Sequence, residues 1–263
     1  MEMRVVEIDS QTEGTFFRCL HDELSDDPEI VGIRRRWFEA FRTKGLRGRV
    51  LIADSDDVVG MCQYLPIEHS PFLGRDLMAI LCLWVHGYEH HVGNQQKKGY
   101  GRLLLESVEA DARESGMKGV ATWGKDFPYW NPISFYEHMG YVRTDSMGLN
   151  ILAWKAFDGS AEPPMIRRRL TPVPVGEDKV AVTAFQCGWC NGGIANCQVA
   201  AQVLAEMGDT ATFALVDESS SPSICDNLYI DGVPFHPDAP PPTAEELREA
   251  ICQRHAERSA SRA

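Results

Sequence analysis

Gln96-Lys97-Lys98-Gly99-Tyr100-Gly101, followed downstream by Asn131-Pro132-Ile133-Ser134-Phe135-Tyr136-Glu137-His138-Met139-Gly140-Tyr141, decides how the rest of this chain is read. The first stretch lies between a fully apolar run, Leu77 to Val85, and a segment from Gly101 to Ser115 whose apolar residues Leu103, Leu104, Val108 and Ala112 recur at helical spacing. The apolar run reads as a buried central strand. The segment after it reads as a helix packed on a sheet. At such a junction glycines let the backbone approach a ligand closely, and the amides of the first helical turn point at it. The helix dipole and Lys97 or Lys98 add positive potential, so the junction has the physics of a phosphate cradle. A glycine pattern of this length also fits an ordinary loop-to-helix turn, and its context must decide.

Working outward, the chain reads as alternating strands and helices with short connections. A strand is expected at Met3 to Ile8, helical spacing through Cys19, Leu24, Ile30, Trp37, Phe38 and Phe41, and strands at Arg49 to Ala53 and Val58 to Leu65. The Asp54-Ser55-Asp56-Asp57 turn between those two strands suits a hairpin. Downstream come a strand at Gly119 to Thr122, a helix around Ile133 to Met139, and strands to Trp154.

Both quoted stretches, in this order and each on the expected helix, resemble the signatures of the GNAT superfamily of acyltransferases: the Q/R-x-x-G-x-G/A loop, and an Asn followed by a Phe-Tyr-Glu-x-x-Gly-aromatic run. The resemblance implies an α/β GNAT fold, with a mixed, splayed central sheet and flanking helices, over residues 1–158. It implies acetyl-CoA or another acyl-CoA as acyl donor, and a small amine as acceptor. Gln96, Lys97, Lys98, Gly99, Tyr100, Gly101 and Arg102 would then hold the pyrophosphate, and Asn131 and Phe135 the cofactor arm. Leu83, Trp84 and Val85 would present backbone groups to the pantetheine and the thioester carbonyl, a form of oxyanion stabilisation. Tyr136 would protonate the departing thiolate, and its bland alternative is a core tyrosine with a satisfied hydroxyl.

One departure from the family pattern stands out. Where the phosphate loop should follow the strand almost at once, His86-Gly87-Tyr88-Glu89-His90-His91-Val92-Gly93-Asn94-Gln95 intervenes. This insertion is expected at the mouth of the site. Glu89 or a histidine, His90 among them, is a candidate base for an ammonium substrate, because a base works best when it titrates near the working pH. A solvated loop is the competing reading. His86, His90 and His91 invite a metal as well, although no fixed scaffold for three ligands is apparent.

A turn-rich and proline-bearing stretch, residues 159–178, reads as a linker to a second module at residues 179–263. There the strand-like Val180-Ala181-Val182-Thr183-Ala184-Phe185 runs into Cys187-Gly188-Trp189-Cys190 and a helix bearing Ile194, Val199, Val203 and Leu204. A strand at Thr212 to Val216, a hairpin around Asp231-Gly232 and a last helix opened by a Thr243–Glu246 capping box complete it. The order resembles a smaller thioredoxin-like α/β domain, and the pair of modules is similar to GNAT proteins that carry a YoaP-like C-terminal domain. A helix N-terminus would make Cys187 the most acidic thiol. Pro222 stands too early for the cis-proline of that fold, and Cys225-Asp226 occupies the place. Cys187, Cys190 and Cys225 therefore form a candidate redox site or a possible soft-metal or metalloid site. Cys225 reads equally as a small buried apolar residue.

Composition bounds the function. The chain has 263 residues, 44% of them hydrophobic, and a formal net charge of -12. That is enough apolar content for a core, and an acidic surface repels a phosphate backbone, so nucleic acid is not expected as a partner. No apolar run approaches the roughly 20 residues that span a bilayer, so no membrane partner is expected. Met1-Glu2-Met3-Arg4 is no signal core, which points to the cytoplasm and to reduced thiols. Three readings remain: an N-acyltransferase using direct amine attack; a thiol- or metal-handling protein whose first module is a non-catalytic acyl-CoA-binding scaffold; and a joining of the two, in which the dithiol module serves redox or soft-metal or metalloid sensing or delivers the substrate. Oligomeric state has no signature in the sequence.

Overall fold

The computed structural model of the chain describes residues 3–21, 26–53, 55–127, 130–168, 174–176, 178–208, 210–218, 224, 227–235 and 242–262. They fall into two compact units, Met1–Arg167 and Arg168–Ala263.

The first unit is built on a seven-stranded sheet. Its strands are β1 (Arg4–Glu7), β2 (Arg47–Ile52), β3 (Val58–Pro66), β5 (Leu77–Val85), β6 (Gly119–Lys125), β7 (Val142–Met147) and β8 (Asn150–Ala156), in the spatial order β1-β2-β3-β5-β6-β8-β7. All neighbours are antiparallel except β5 and β6, so the sheet is mixed. That one parallel step needs a crossover, and α3 (Tyr100–Glu114) supplies it. Leu104, Leu105, Val108 and Ala112 of α3 are buried against Cys62, Tyr64, Ile80 and Val120 of the sheet. Two carboxylates fix α3 further. Asp111 meets Arg49 at 3.3 Å and the Tyr64 hydroxyl at 2.9 Å, and also pairs with Arg47; Glu109 accepts from Lys155 Nζ at 3.0 Å.

The helical spacing of residues 19–41 does not form one helix. It divides into α1 (Glu13–Phe17) and α2 (Pro28–Arg42). Cys19, Leu20 and His21 all take positive φ, which breaks α1, and α2 restarts with Asp27 as N-cap and Pro28 at its first position. Phe16, Phe17 and Phe38 pack edge to face between the two helices. Two short strands, β4 (Phe72–Leu73) and β9 (Met165–Ile166), pair outside the main sheet. Met165 and Ile166 lie in the stretch read from the sequence as linker; in the structure they close the first unit, with the Ile166 amide donating to Asp145 Oδ2 at 2.9 Å.

The second unit has a four-stranded sheet in the order β11-β10-β12-β13: β10 (Val180–Gln186), β11 (Ala211–Asp217), β12 (Leu228–Ile230) and β13 (Val233–Pro234). β10 and β11 are parallel, joined through α5 (Asn191–Met207); β12 and β13 form an antiparallel hairpin, and α6 (Ala244–Arg262) follows. Thr243 opens α6 through a reciprocal box, its amide donating to Glu246 Oε2 at 2.8 Å and its Oγ1 accepting from the Glu246 amide at 3.2 Å. Asp231, in the hairpin turn, is fully enclosed. It accepts from the amides of Gly176 and Ala181 and pairs with Arg254 and Arg258.

Candidate active site

The site begins with one extra residue. Between the pairs Tyr64↔Ile80 and Gln63↔Cys82, Leu81 has no partner on β3. Such a bulge bends its strand and sharpens the local twist. On its other edge β5 pairs with β6 only at Leu77↔Gly119, Met78↔Val120 and Ala79↔Ala121. Beyond Ala79 the two strands have no ladder between them, although both continue, to Val85 and to Lys125. Leu83, Trp84 and Val85 therefore lie on the splayed end of β5, held from the far side by Cys62, Met61 and Gly60 of β3. Trp123 of β6 reaches across the gap, its Nε1 donating to the Leu81 carbonyl at 2.8 Å. Trp130, 41% exposed, stands edge-on to Trp123 at 5.5 Å.

The loop at 96–101 lies past the end of that strand. Gln96 is tied back to it, its Nε2 donating to the Val85 carbonyl at 3.3 Å. Lys97 and Gly99 take positive φ, 62° and 84°, and Gly99 is the N-cap of α3. Only glycine adopts the Gly99 conformation without strain, and a Cβ there would meet nothing within 4 Å. Gly101 is small for a different reason. A Cβ there would sit 3.2 Å from Phe135 Cζ and 3.9 Å from Leu83 Cδ2. The loop, Leu83 and Phe135 are thereby brought together. Lys97, Lys98 and Arg102 are exposed, Lys98 donating to Gln95 Oε1 at 2.9 Å; Tyr100 is half-buried in the first turn of α3.

Tyr136 lies on α4 (Ile133–His138) and is buried, 1% exposed. Its hydroxyl donates to Asn131 Oδ1 at 3.2 Å. Burial pushes its phenol well above the ordinary tyrosine range, the nearby Thr122 hydroxyl pulls it back in part, and Cys82 on the splayed part of β5 and Cys62 on β3 add to the rise. The phenol thus stands among β6, β3 and the splayed end of β5, fully protonated. Asn131 spends its amide within this group: Nδ2 donates to the Trp123 carbonyl at 2.8 Å while Oδ1 holds Tyr136. Sequence reasoning passed over Thr122, Trp123 and Cys82. Thr122 read as the last residue of a strand and Trp123 fell just past it, and only the parting of β5 from β6 gives them a site to face.

The insertion folds back on itself. The His86 amide donates to the Val59 carbonyl at 3.0 Å, and the His86 carbonyl accepts from the Gln95 amide at 2.8 Å, so both ends of the loop are pinned. His86 is 0% exposed, whereas Glu89 and His90 are exposed. Tyr88 stacks on His90 at 5.1 Å, and His91 stacks on His21, from the segment after α1, at 4.3 Å. His21 borders an open cavity of about 410 Å³ that Thr12, Thr15, Asp56, Asp57 and Val92 help to line. Among the described residues no group of three or more His, Cys, Asp or Glu side chains is arranged to hold a metal ion.

In the second unit the Cys187-Gly188-Trp189-Cys190 stretch carries β10 into α5, with Cys190 as the N-cap. Cys187, Cys190 and Cys197 are thiols without disulfides. The expectation that Cys187 is the most acidic thiol fails. Burial pushes it well above the ordinary thiol range, Cys190 and Cys197 add to this, and the amides of Trp189 and Cys190 offset only part. The first turn of α5 does reach Cys187, since a Cβ on Gly193 would sit 3.4 Å from its Sγ, but burial outweighs that help. Cys197 is buried in the core and pushed up to about 12, chiefly by burial. Cys225, Asp226 and Pro222 lie outside the described residues. Their neighbour Asn227 was missed: its Nδ2 donates to the Gly193 carbonyl at 2.9 Å, and its Oδ1 accepts from Asn196 Nδ2 at 3.0 Å. It anchors the start of β12 to the first turns of α5.

Comparison with known proteins agrees with the first unit's architecture. Residues 47–143 match the acetyltransferase (GNAT) domain. The chain is 28% identical over 173 residues to YoaP of Bacillus subtilis (strain 168), described as an uncharacterized N-acetyltransferase; the match covers 62% of this chain and 64% of that protein. Both likenesses are to acetyltransferases; the domain match lies within the first unit, and the chain spans less than two thirds of that relative's length. Similar solved structures include yncA of Salmonella typhimurium with acetyl-CoA, 17% identical, TM-score 0.45, covering 62% of this chain and 98% of that one. Another is the PaiA N-acetyltransferase of Thermoplasma acidophilum in complex with coenzyme A, 15% identical, TM-score 0.43, covering 60% and 100%. No helix among the described residues is long and apolar enough to cross a membrane.

Proposed function

We propose that the first unit binds acetyl-CoA, or another acyl-CoA, and transfers the acyl group to a small amine by direct attack on the thioester. The observation that carries this reading is the parting of β5 from β6 after Ala79, with the glycine loop of α3 at one end of the gap and the Tyr136 phenol beside it. Strand edges that separate leave backbone groups without a ladder partner, and buried backbone groups seek partners. An extended amide-bearing arm such as pantetheine is the right shape to pair with them. Leu83, Trp84 and Val85 would present those groups. Gln96 to Arg102 would take the pyrophosphate, with Gly99 leaving open space and Lys97 and Lys98 supplying charge. Leu83, Phe135 and Gly101 would line the arm.

In this reading Tyr136 is the acid. A buried, un-ionised phenol is suited to give a proton to a departing thiolate. Asn131 orients the phenol. Direct transfer needs only that the two reactants be held together, so no covalent enzyme intermediate is invoked.

We read the second unit as thioredoxin-like, on its order of strand, dithiol loop, helix, parallel strand, hairpin and helix. Cys187 and Cys190 would form a redox pair, or with Cys225 a soft-metal site, serving to sense or deliver the substrate. Burial of Cys187 favours slow exchange over a fast oxidoreductase. The test uses the full chain. Acetyl-CoA binding is measured by calorimetry, and transfer by release of CoA thiol across a panel of amines, with reduced and oxidised protein. Saturable binding together with amine-dependent thiol release supports the reading; absence of acetyl-CoA binding overturns it.

A further inference from the structure

An amine attacks only after losing a proton, and the acyltransferase reading leaves open where that proton goes. Resting on that reading, we propose that His86 is the proton acceptor, and that the acceptor substrate is an alkylamine, charged at neutral pH. The insertion exists, on this view, to present one imidazole at the end of the splayed strand.

The geometry identifies the ring. His86 Nδ1 lies 3.0 Å from the Gly93 carbonyl oxygen. A carbonyl only accepts, so Nδ1 carries the hydrogen, and a neutral ring then presents a bare lone pair at Nε2. That Nε2 is enclosed and has no hydrogen-bond partner among the described residues. Leaving a buried polar atom unpaired is costly, so such an atom marks a place where a donor belongs. Two residues back, on the splayed end of β5, the indole Nε1 of Trp84 is enclosed and unpartnered in the same way. Both rings flank Tyr88, Trp84 at 6.3 Å and His86 at 5.5 Å. An unused acceptor and an unused donor therefore lie on residues whose rings flank Tyr88 at the splayed end of β5. His90, exposed, stands edge-on to His86 at 5.6 Å, which puts His86 one side chain in from solvent.

The surroundings keep the ring neutral until a proton is delivered. Burial lowers the His86 pKa; the Gly93 carbonyl raises it, and His90 and His91 of its own loop lower it, for a net fall below the ordinary 6.5. His21, from the segment after α1, is the other titratable neighbour, lowered by burial and then by His91, Arg18 and His86, with Asp26 opposing. The residues the sequence offered as bases, Glu89 and His90, are exposed and lack this enclosure.

The step balances as follows. An ammonium R–NH₃⁺ gives one proton to His86 Nε2, forming an imidazolium whose Nδ1–H stays on the Gly93 carbonyl. The freed nitrogen lone pair attacks the thioester carbonyl carbon. The N–C bond forms, the C–S bond breaks, and its electron pair leaves on sulfur, which takes the Tyr136 proton. The nitrogen's second surplus proton restores the phenol, and His86 releases its own to solvent. The sum is amide, thiol and one proton. A primary alkylammonium titrates near the lysine value of about 10.4 and needs such a base at pH 7; an arylamine is already neutral and does not.

Two measurements on the full chain test this. Nitrogen-15 NMR of wild type should show His86 neutral at pH 7, protonated on Nδ1 and titrating below 6.5. His86→Gln keeps a donor for the Gly93 carbonyl but cannot take up a proton. It should bind acetyl-CoA as wild type does, lose about 10²-fold or more in kcat/KM toward alkylamines and less toward arylamines, and lose the acid limb that coincides with the NMR titration. A His86 that is charged at pH 7 or protonated on Nε2 overturns the proposal without any reference to activity. So does a His86→Gln enzyme with wild-type rates and pH profile. Failure of wild type to bind acetyl-CoA is a separate result, which removes the acyltransferase reading itself.

Discussion

Replacing Tyr136 with phenylalanine separates chemistry from packing. The ring sits against Phe135 at 5.0 Å and Tyr141 at 5.9 Å, and phenylalanine keeps both contacts. What goes is one hydroxyl and its bond to Asn131 Oδ1. A neutral hydrogen bond of this kind contributes about 0.5–1.5 kcal/mol, and for a domain of this size that lowers Tm by about 2–4 °C per kcal/mol. Loss of general-acid help is larger, about 10²–10⁴ in rate, or roughly 3–5 kcal/mol of barrier at 1.36 kcal/mol per decade. The expected Tyr136→Phe protein therefore melts slightly early, binds acetyl-CoA with unchanged affinity, and turns over at least about a hundredfold more slowly. Because burial holds the phenol above its ordinary range, wild-type turnover should show no alkaline loss attributable to Tyr136 below that range. Calorimetry, thermal melting and a chemistry-limited transfer assay read the three quantities. Unchanged turnover with the small stability loss intact would make Tyr136 a core residue only.

Gly101→Asp should weaken acetyl-CoA binding by about tenfold or more, measured by calorimetry; Gly101→Ala, which meets Phe135 at 3.2 Å but adds no charge, separates crowding from repulsion. If the aspartate protein binds as wild type does, the phosphate assignment is wrong. Asp231→Ala strips Gly176, Ala181, Arg254 and Arg258 of a shared acceptor and should destabilise the second unit by about 3–5 kcal/mol in denaturant unfolding. Burial alone would raise the Asp231 pKa, but those partners bring it below 3.8, so its stabilisation is present above pH 3.8 and fades as pH falls through the folded value; a mutant whose acid-unfolding curve matches wild type refutes this. Alkylation followed by mass spectrometry at pH 8 should label exposed Cys252 first and half-buried Cys190 ahead of Cys187. Cys187 labelling fastest would restore it as the activated thiol.

The sequence alone determined what short-range physics controls. Leu77–Val85 is apolar without a break because β5 is flanked by strands on both edges and covered by α3, and its residues had no other place to go. The Gln96–Gly101 loop and the Asn131–Tyr141 run were legible because they pair local backbone demands, a positive φ at Gly99 and a helix start after Pro132, with residue types that meet them. The Thr243–Glu246 box is likewise a contact between near neighbours in the chain. Three things needed the tertiary structure. The single unpaired residue Leu81 leaves no mark in a continuous apolar run, yet it accompanies the opening that separates β5 from β6. Which titratable group of the insertion is buried depends on Val59 and Gly93 holding His86 at the base of the loop while Glu89 and His90 turn outward, a choice made by hydrogen bonds rather than by composition. And Cys187 was assigned its acidity from a motif, whereas its pKa is set by desolvation, which exists only once β10 and α5 have closed around it.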